Sequence, residues 1–229
     1  IAASPHLRLG GLGTHFPAAD MADPEYLSFT DDQVELLRGI VEELRRRGID
    51  PGLVHAANSG GIIGHPKSHF DLVRPGIMLY GYFPSREQAR ELDLRPVMGL
   101  ETRIVFLKRV PAGTGISYGL TYRAPRETTI ATIPCGYGDG YSRLLSGKSR
   151  VLVNGKLYPI AGRVCMDQTM VDLGPDSRAE LFDRVVLFGP DPEAPTAEDL
   201  ADIIGTIPYE ITCNINKRVP RVYTDSPIS

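Results

Sequence analysis

From residue 30 to residue 50 the chain reads TDDQVELLRGIVEELRRRGID, with apolar Val34, Leu37, Val41 and Leu44 set between charged positions. That spacing predicts an amphipathic helix. Thr30 offers a cap, Gln33 completes a capping box three residues on, and Gly48 suits the stop. Short apolar runs lie on either side: RLGGLGTHF before it, GLVHAANS after it and, beyond the irregular IIGHPKSHF, FDLVRPGIMLYG. Strand, helix, strand, connection, strand is the rhythm of a parallel α/β sheet. After the polar stretch PSREQARELDLRP the pattern changes. ETRIVFLKRV, TTIATIPCG, SRVLVNGKLYPI, AGRVCMDQTMVDLG and DRVVLFG are short, β-branched runs separated by turn signals, with Asn154-Gly155 predicting a hairpin tip. One helix interrupts them, TAEDLADIIGTI, with Thr196 and Asp199 at its start and Leu200, Ile203, Ile204 and Ile207 as its apolar face.

Composition narrows what these elements can do. At 229 residues and 42% hydrophobic content the chain can bury a sizeable core. A net charge of −3, with Lys and Arg scattered singly, gives no footprint for nucleic acid or anionic membrane. No apolar run reaches the length of a membrane-spanning helix, and no signal-peptide pattern opens the chain. The three cysteines, Cys135, Cys165 and Cys213, show no CxxC spacing, so neither a disulfide framework nor a metal site is expected, and a reducing cytoplasm is the default. The chain opens on Ile1, and IAASPHLRLGGLGTHF reads as a helix end running through a loop into a strand, so residues before Ile1 are expected.

Candidate chemistry gathers where strands end, the place where α/β sheets carry function. His15 ends the first predicted strand; His55, Asn58 and Ser59 end the second; Arg74, Gly76 and Ile77 lie at the third. Asn58-Ser59-Gly60-Gly61 offers side-chain donors and amides for an anion, although the same composition serves a plain turn. Arg74 stands in an apolar run, and a guanidinium there needs a ligand or carboxylate partner. In the second half, Tyr118 sits in the glycine-rich GTGISYGLTYR with Tyr122 four residues on, CGYGDGY presents Tyr137 on a tight turn, and Cys165 suits a buried structural thiol.

Taken together, THFPAAD, HAANSG, RPGIMLYG, GISYGLTYR, GYGDGYSR and GRVCMDQTMVDLG resemble, in order, the motifs of the alanine racemase family of pyridoxal-phosphate (PLP) enzymes, and the likeness covers essentially the whole chain. The resemblance implies a fold that is α/β plus mostly β: the last strands of a (β/α)8 TIM barrel over residues 1–85, a linker over 86–96 and a C-terminal β domain over 97–229. It implies that PLP lies beside His15, that His55 supports Arg74, and that Arg74 faces the pyridine nitrogen. Asn58, Ser59, the amides of Gly76 and Ile77 and the hydroxyl of Tyr209 would surround the phosphate. From the opposite subunit of a homodimer would come Tyr118 as catalytic acid/base, Met166 near the substrate carboxylate, and Tyr137 and Asp167 at the entrance.

The implied function is racemisation of L-alanine to D-alanine for peptidoglycan by two bases on opposite faces of a planar intermediate. The family's second base is a lysine on the first barrel strand that also holds the cofactor. Lys67, Lys108, Lys148, Lys156 and Lys217 all lie in other contexts. The early arginine for the substrate carboxylate is missing too, so this chain alone is expected to be inactive. Alternatives are a broader amino-acid racemase and a non-catalytic dimerisation module. A single-domain PLP-binding relative would lack the β domain that brings Tyr118.

Overall fold

The computed structural model describes residues 1, 3–88 and 92–224. The expected linker therefore lies partly outside the described residues, as does the end of the expected β domain. The chain divides into two compact units, Ile1–Arg95 and Pro96–Ser229.

The first unit begins with turn and coil, where a helix end was expected, and enters strand β1, Gly11–Gly13. Helix α1 follows, Pro24–Arg46. Its cap lies about two turns before the predicted one, because Asp23 accepts the Glu25 amide at 2.9 Å and Pro24 occupies the first helical position, where its missing N–H costs nothing. Thr30 is consequently a fully buried residue inside the helix rather than its cap. Val34, Leu37 and Val41 are buried as the periodicity requires, and pack with Phe16, Ala19, Val54 and Ala56. The helix ends as predicted at Gly48, whose amide bonds Arg45 O at 3.0 Å while that of Ile49 bonds Leu44 O at 2.9 Å.

Strand β2, Leu53–His55, pairs in parallel with β1 through Gly11↔Leu53, Leu12↔Val54 and Gly13↔His55. Helix α2, Ser59–Gly64, comes next. The third apolar run forms only a single parallel bridge, His55↔Leu72, because Pro75 has no N–H to extend a ladder, and Ile77–Tyr80 turns into a 3-10 helix. Two further backbone bonds still lay it along β2, Asp71 N to Val54 O at 3.0 Å and Arg74 N to Ala57 O at 2.8 Å. Among the described residues these strands do not close a barrel.

The second unit is mostly β. The run ETRIVFLKRV is two strands rather than one: β3, Leu100–Arg103, and β4, Phe106–Val110, separate at fully buried Ile104 and enter different sheets. A two-residue pair, β5 (Gly115–Ile116) and β6 (Tyr122–Arg123), precedes β7, Thr128–Ile133. The hairpin β8–β9, Arg150–Val153 and Lys156–Pro159, turns at Asn154-Gly155 with φ of 47° and 72°. Strands β10, Thr169–Gly174, and β11, Arg184–Phe188, complete a three-stranded sheet in the order β10-β7-β4 and a four-stranded sheet in the order β3-β11-β8-β9.

Helix α3, Ala197–Ile204, has the predicted Thr196–Asp199 capping box. It buries Ala197, Leu200 and Ala201, whereas Ile207 lies beyond its end, 52% exposed. A second helix that the periodicity missed, α4 (Pro208–Cys213), starts on a proline and is too short to show a stripe.

Candidate functional site

In the first unit the parallel register sets His55 across from Gly13, and a Cβ at position 13 would overlap the imidazole ring. Glycine there lets the ring lie over the neighbouring strand. Arg74 arrives beside it from the third run. Its Nη1 bonds His55 Nδ1, while Nη2 donates to Thr14 O at 2.8 Å, Ala56 O at 3.1 Å and His15 Nδ1 at 3.3 Å. A guanidinium has no lone pair to offer, so both imidazole nitrogens are acceptors in these bonds. Of the two expected kinds of partner, a ligand or a carboxylate, no carboxylate meets it among the described residues: every acceptor of Arg74 there is a neutral oxygen or a ring nitrogen. The Nε–H of Arg74 takes no partner among the described residues.

A second group of donors lies in the same unit. Buried Ser59 Oγ accepts from the Gly76 amide at 2.9 Å and the Met78 amide at 3.4 Å, and its own hydrogen is given to none of the described residues. The Gly76 amide is thus engaged by Ser59, while that of Ile77, first in its 3-10 turn, has no intrahelical acceptor. Asn58 is committed to folding, its Oδ1 accepting from Gly61 N at 3.0 Å as the cap of α2 and its Nδ2 donating to Phe16 O at 3.1 Å.

In the second unit Tyr118 is 73% exposed at the tip between β5 and β6. The preceding residue, Ser117, has φ 64° and ψ 179°, a conformation that glycine alone adopts readily and that costs another residue about 1–3 kcal/mol. Its Oγ donates to Arg163 O at 2.7 Å and lies 3.6 Å from Cys165 Sγ. Gly162 leaves room for this approach, since a Cβ there would stand 2.8 Å from both Ile116 O and Ser117 Cβ.

Ser117, Tyr118, Cys165, Met166 and Asp167 share the lining of one cavity of about 650 Å³. Cys165 is half-buried on that wall, not a buried core thiol, because it lies in the loop before β10, next to exposed Met166. Tyr137, 42% exposed, is tied to the same wall by its amide to Cys165 O at 2.9 Å and by Gly138 N to Met166 O at 2.8 Å. Arg218 fastens the two segments, with 2.7 Å bonds to both Asp139 and Asp167. Sequence reading passed over Arg218; its only local signal is a basic cluster, NKRVPR. Tyr209 lies half-buried in the first turn of α4.

Comparisons with known proteins agree along nearly the whole chain. The family described as "Alanine racemase, N-terminal domain" matches residues 1–84, and "Alanine racemase, C-terminal domain" matches residues 97–223. An alanine racemase of Treponema denticola is 45% identical over 97% of this chain and 60% of its own length. One of Carboxydothermus hydrogenoformans is 48% identical over 95% of this chain and 59% of its own. Among solved structures, alanine racemase from Streptomyces coelicolor superposes with a TM-score of 0.88 at 45% identity, covering 96% of this chain and 57% of that one. That of Bacillus anthracis with bound L-Ala-P gives 0.87 at 40% identity, covering 96% and 56%. The chain thus spans less than two thirds of the length of these relatives.

Proposed function

This chain belongs to the alanine racemase family, and on that premise we propose that the enzyme carrying it interconverts L- and D-alanine, supplying D-alanine for peptidoglycan in the cytoplasm. The observation that carries the reading is the Arg74 cluster, a cation held beside two imidazoles with, among the described residues, no carboxylate bonded to it and one N–H left to give.

The residues fit PLP. Arg74 Nε–H suits a ring nitrogen that accepts, the Ser59 hydroxyl and the Ile77 amide suit phosphate oxygens, and Gly76 acts through Ser59. His15 would lie by the ring, with Asn58 shaping the loop and Tyr209 adding a hydroxyl. When bound, PLP withdraws electrons from the substrate's α-carbon and so acidifies its proton.

This chain's residues then divide the work. Arg74 cannot give up a proton to the ring nitrogen as an acid would, so it restrains the electron withdrawal to what proton exchange needs and suppresses transamination. Tyr118, reaching a partner subunit's site in a homodimer, holds or takes the proton on one face of the α-carbon. Met166 borders the substrate carboxylate, and Tyr137 and Asp167 narrow the approach. A lysine elsewhere in the enzyme serves the other face, so residues 1–229 alone are inactive.

The test is Arg74→Glu in the enzyme carrying its whole barrel. Racemisation should fall by about 10² or more while pyridoxamine phosphate accumulates. Full racemase activity with none formed would sink the assignment.

A further inference from the structure

The Tyr118 ring makes no hydrogen bond among the described residues, so within this chain its hydroxyl is placed by the arm that carries it. That arm is short. β5 and β6 pair at Gly115↔Arg123 and Ile116↔Tyr122, and the tip between them holds three positive φ angles, at Ser117, Gly119 and Leu120. Ser117 fixes one side of the tip through Arg163 O. The other side is fixed by Tyr122, whose hydroxyl donates to Asp172 Oδ2.

Asp172 is 4% exposed at the irregularity of β10 where the register slips between Asp172 and Gly174. Its second oxygen accepts from Thr128 Oγ1 and from the Gly174 amide at 2.9 Å. Burial pushes the Tyr122 phenol up to about 12, and the Asp172 carboxylate adds to the effect, which favours the protonated, donating form. Burial alone would raise Asp172, but its bonds from Thr128, Tyr122 and Gly174, with nearby Arg126, outweigh it and hold the carboxylate below its usual range.

A buried carboxylate bound by a phenol adds little stability over an apolar pair of the same volume, and its recognised use is to fix geometry. Here it fixes a particular one. The segment that forms the cavity wall at Cys165, Met166 and Asp167 runs directly into β10, so wall and anchor belong to one stretch of chain.

We propose that Asp172, acting through Tyr122, is a positioning residue that sets Tyr118 against the wall where substrate is received. The proposal rests on Tyr118 being one of the two bases, and its test separates the two ideas. In the full-length, cofactor-bound enzyme, Tyr122→Phe and Asp172→Asn are compared with Tyr118→Phe by kcat and KM for both enantiomers, by α-proton exchange in deuterated solvent, and by amide hydrogen exchange. Tyr122→Phe should lower kcat about 10-fold, with KM changed by less than about twofold. Its α-proton exchange should fail for the same enantiomer as in Tyr118→Phe, and amide exchange should quicken over 113–124 but not over the 150–160 hairpin.

Unchanged kcat in Tyr122→Phe, protection lost evenly across both segments, or equal loss from both enantiomers would overturn the anchor. If Asp172→Asn fails to fold, Tyr122→Phe decides alone. If Tyr118→Phe keeps full turnover, the base assignment falls and the anchor with it; if Tyr118→Phe is impaired and Tyr122→Phe is not, only the anchor falls.

Discussion

Arg74 and Tyr118 are held in opposite ways. Arg74 has two of its nitrogens wrapped by carbonyls and imidazoles from the ends of β1 and β2, so the guanidinium itself is immobilised. Tyr118 is 73% exposed, its hydroxyl has no partner among the described residues, and its backbone arm is tied down. On the proposed function the difference follows from the two roles. A cation that must keep its proton can have its donors occupied within its own chain without loss, whereas a hydroxyl that must pass a proton has to stay available to the group it exchanges with, so it is aimed through its backbone.

The strongest way to break this contrast is to loosen Arg74 without touching it. Gly13→Ala places a methyl group into the His55 ring, which must swing away and release Arg74 Nη1. Cofactor affinity in the full-length enzyme should fall about 10-fold or more, as it does when a supporting partner of a cofactor ligand is lost. Binding within about twofold of the parent would mean that Arg74 needs no such support.

A smaller effect sharpens the other half. Ser117→Ala keeps the strained backbone and loses the bond to Arg163 O, and should cost about 1 kcal/mol in denaturant unfolding. Ser117→Gly loses the same bond but relieves the strain, and should come out about 1 kcal/mol more stable than the alanine variant. If the two variants match, the arm stores no strain.

The smallest expected change is none at all. Cys135, behind the Tyr137 turn, is 3% exposed, and burial, helped by Asp139, pushes its thiol up to about 12. A raised value leaves it protonated at pH 8, so in the native protein it should resist a thiolate-selective reagent that labels exposed Cys213. Labelling of Cys135 at a comparable rate would show that the segment behind the Tyr137 turn opens.

Much of the fold was legible from local pattern: the stripe of α1, the Thr196–Asp199 capping box and the Asn154-Gly155 turn are all written within a few residues. The true start of α1 was legible as well, in Asp23-Pro24-Glu25, but the apolar first turn PEYLSF masked it, since Tyr26, Leu27 and Phe29 are exposed and break the stripe. The break between β3 and β4 and the short α4 left no period to read. What sequence could not show is how the site is braced. Ser117 and Arg163 are 46 positions apart, Tyr122 and Asp172 are 50 apart, and Arg218 and Asp139 are 79 apart. Contacts at such separations have no local signature, whereas Tyr118 and Arg74 could be singled out because each is out of character with its own neighbours.

The central claim is that Tyr118 serves one face of the α-carbon. The most direct measurement is α-proton exchange in deuterated solvent, followed separately from L- and D-alanine in full-length Tyr118→Phe, a change that keeps the ring and removes only the hydroxyl. Racemisation should fall by about 10² or more with PLP still bound, and exchange should survive from the enantiomer whose proton faces the other base while it is lost from its mirror image. Turnover of both enantiomers within about twofold of the parent, or exchange lost equally from both, would contradict the account and leave Tyr118 a residue on a turn.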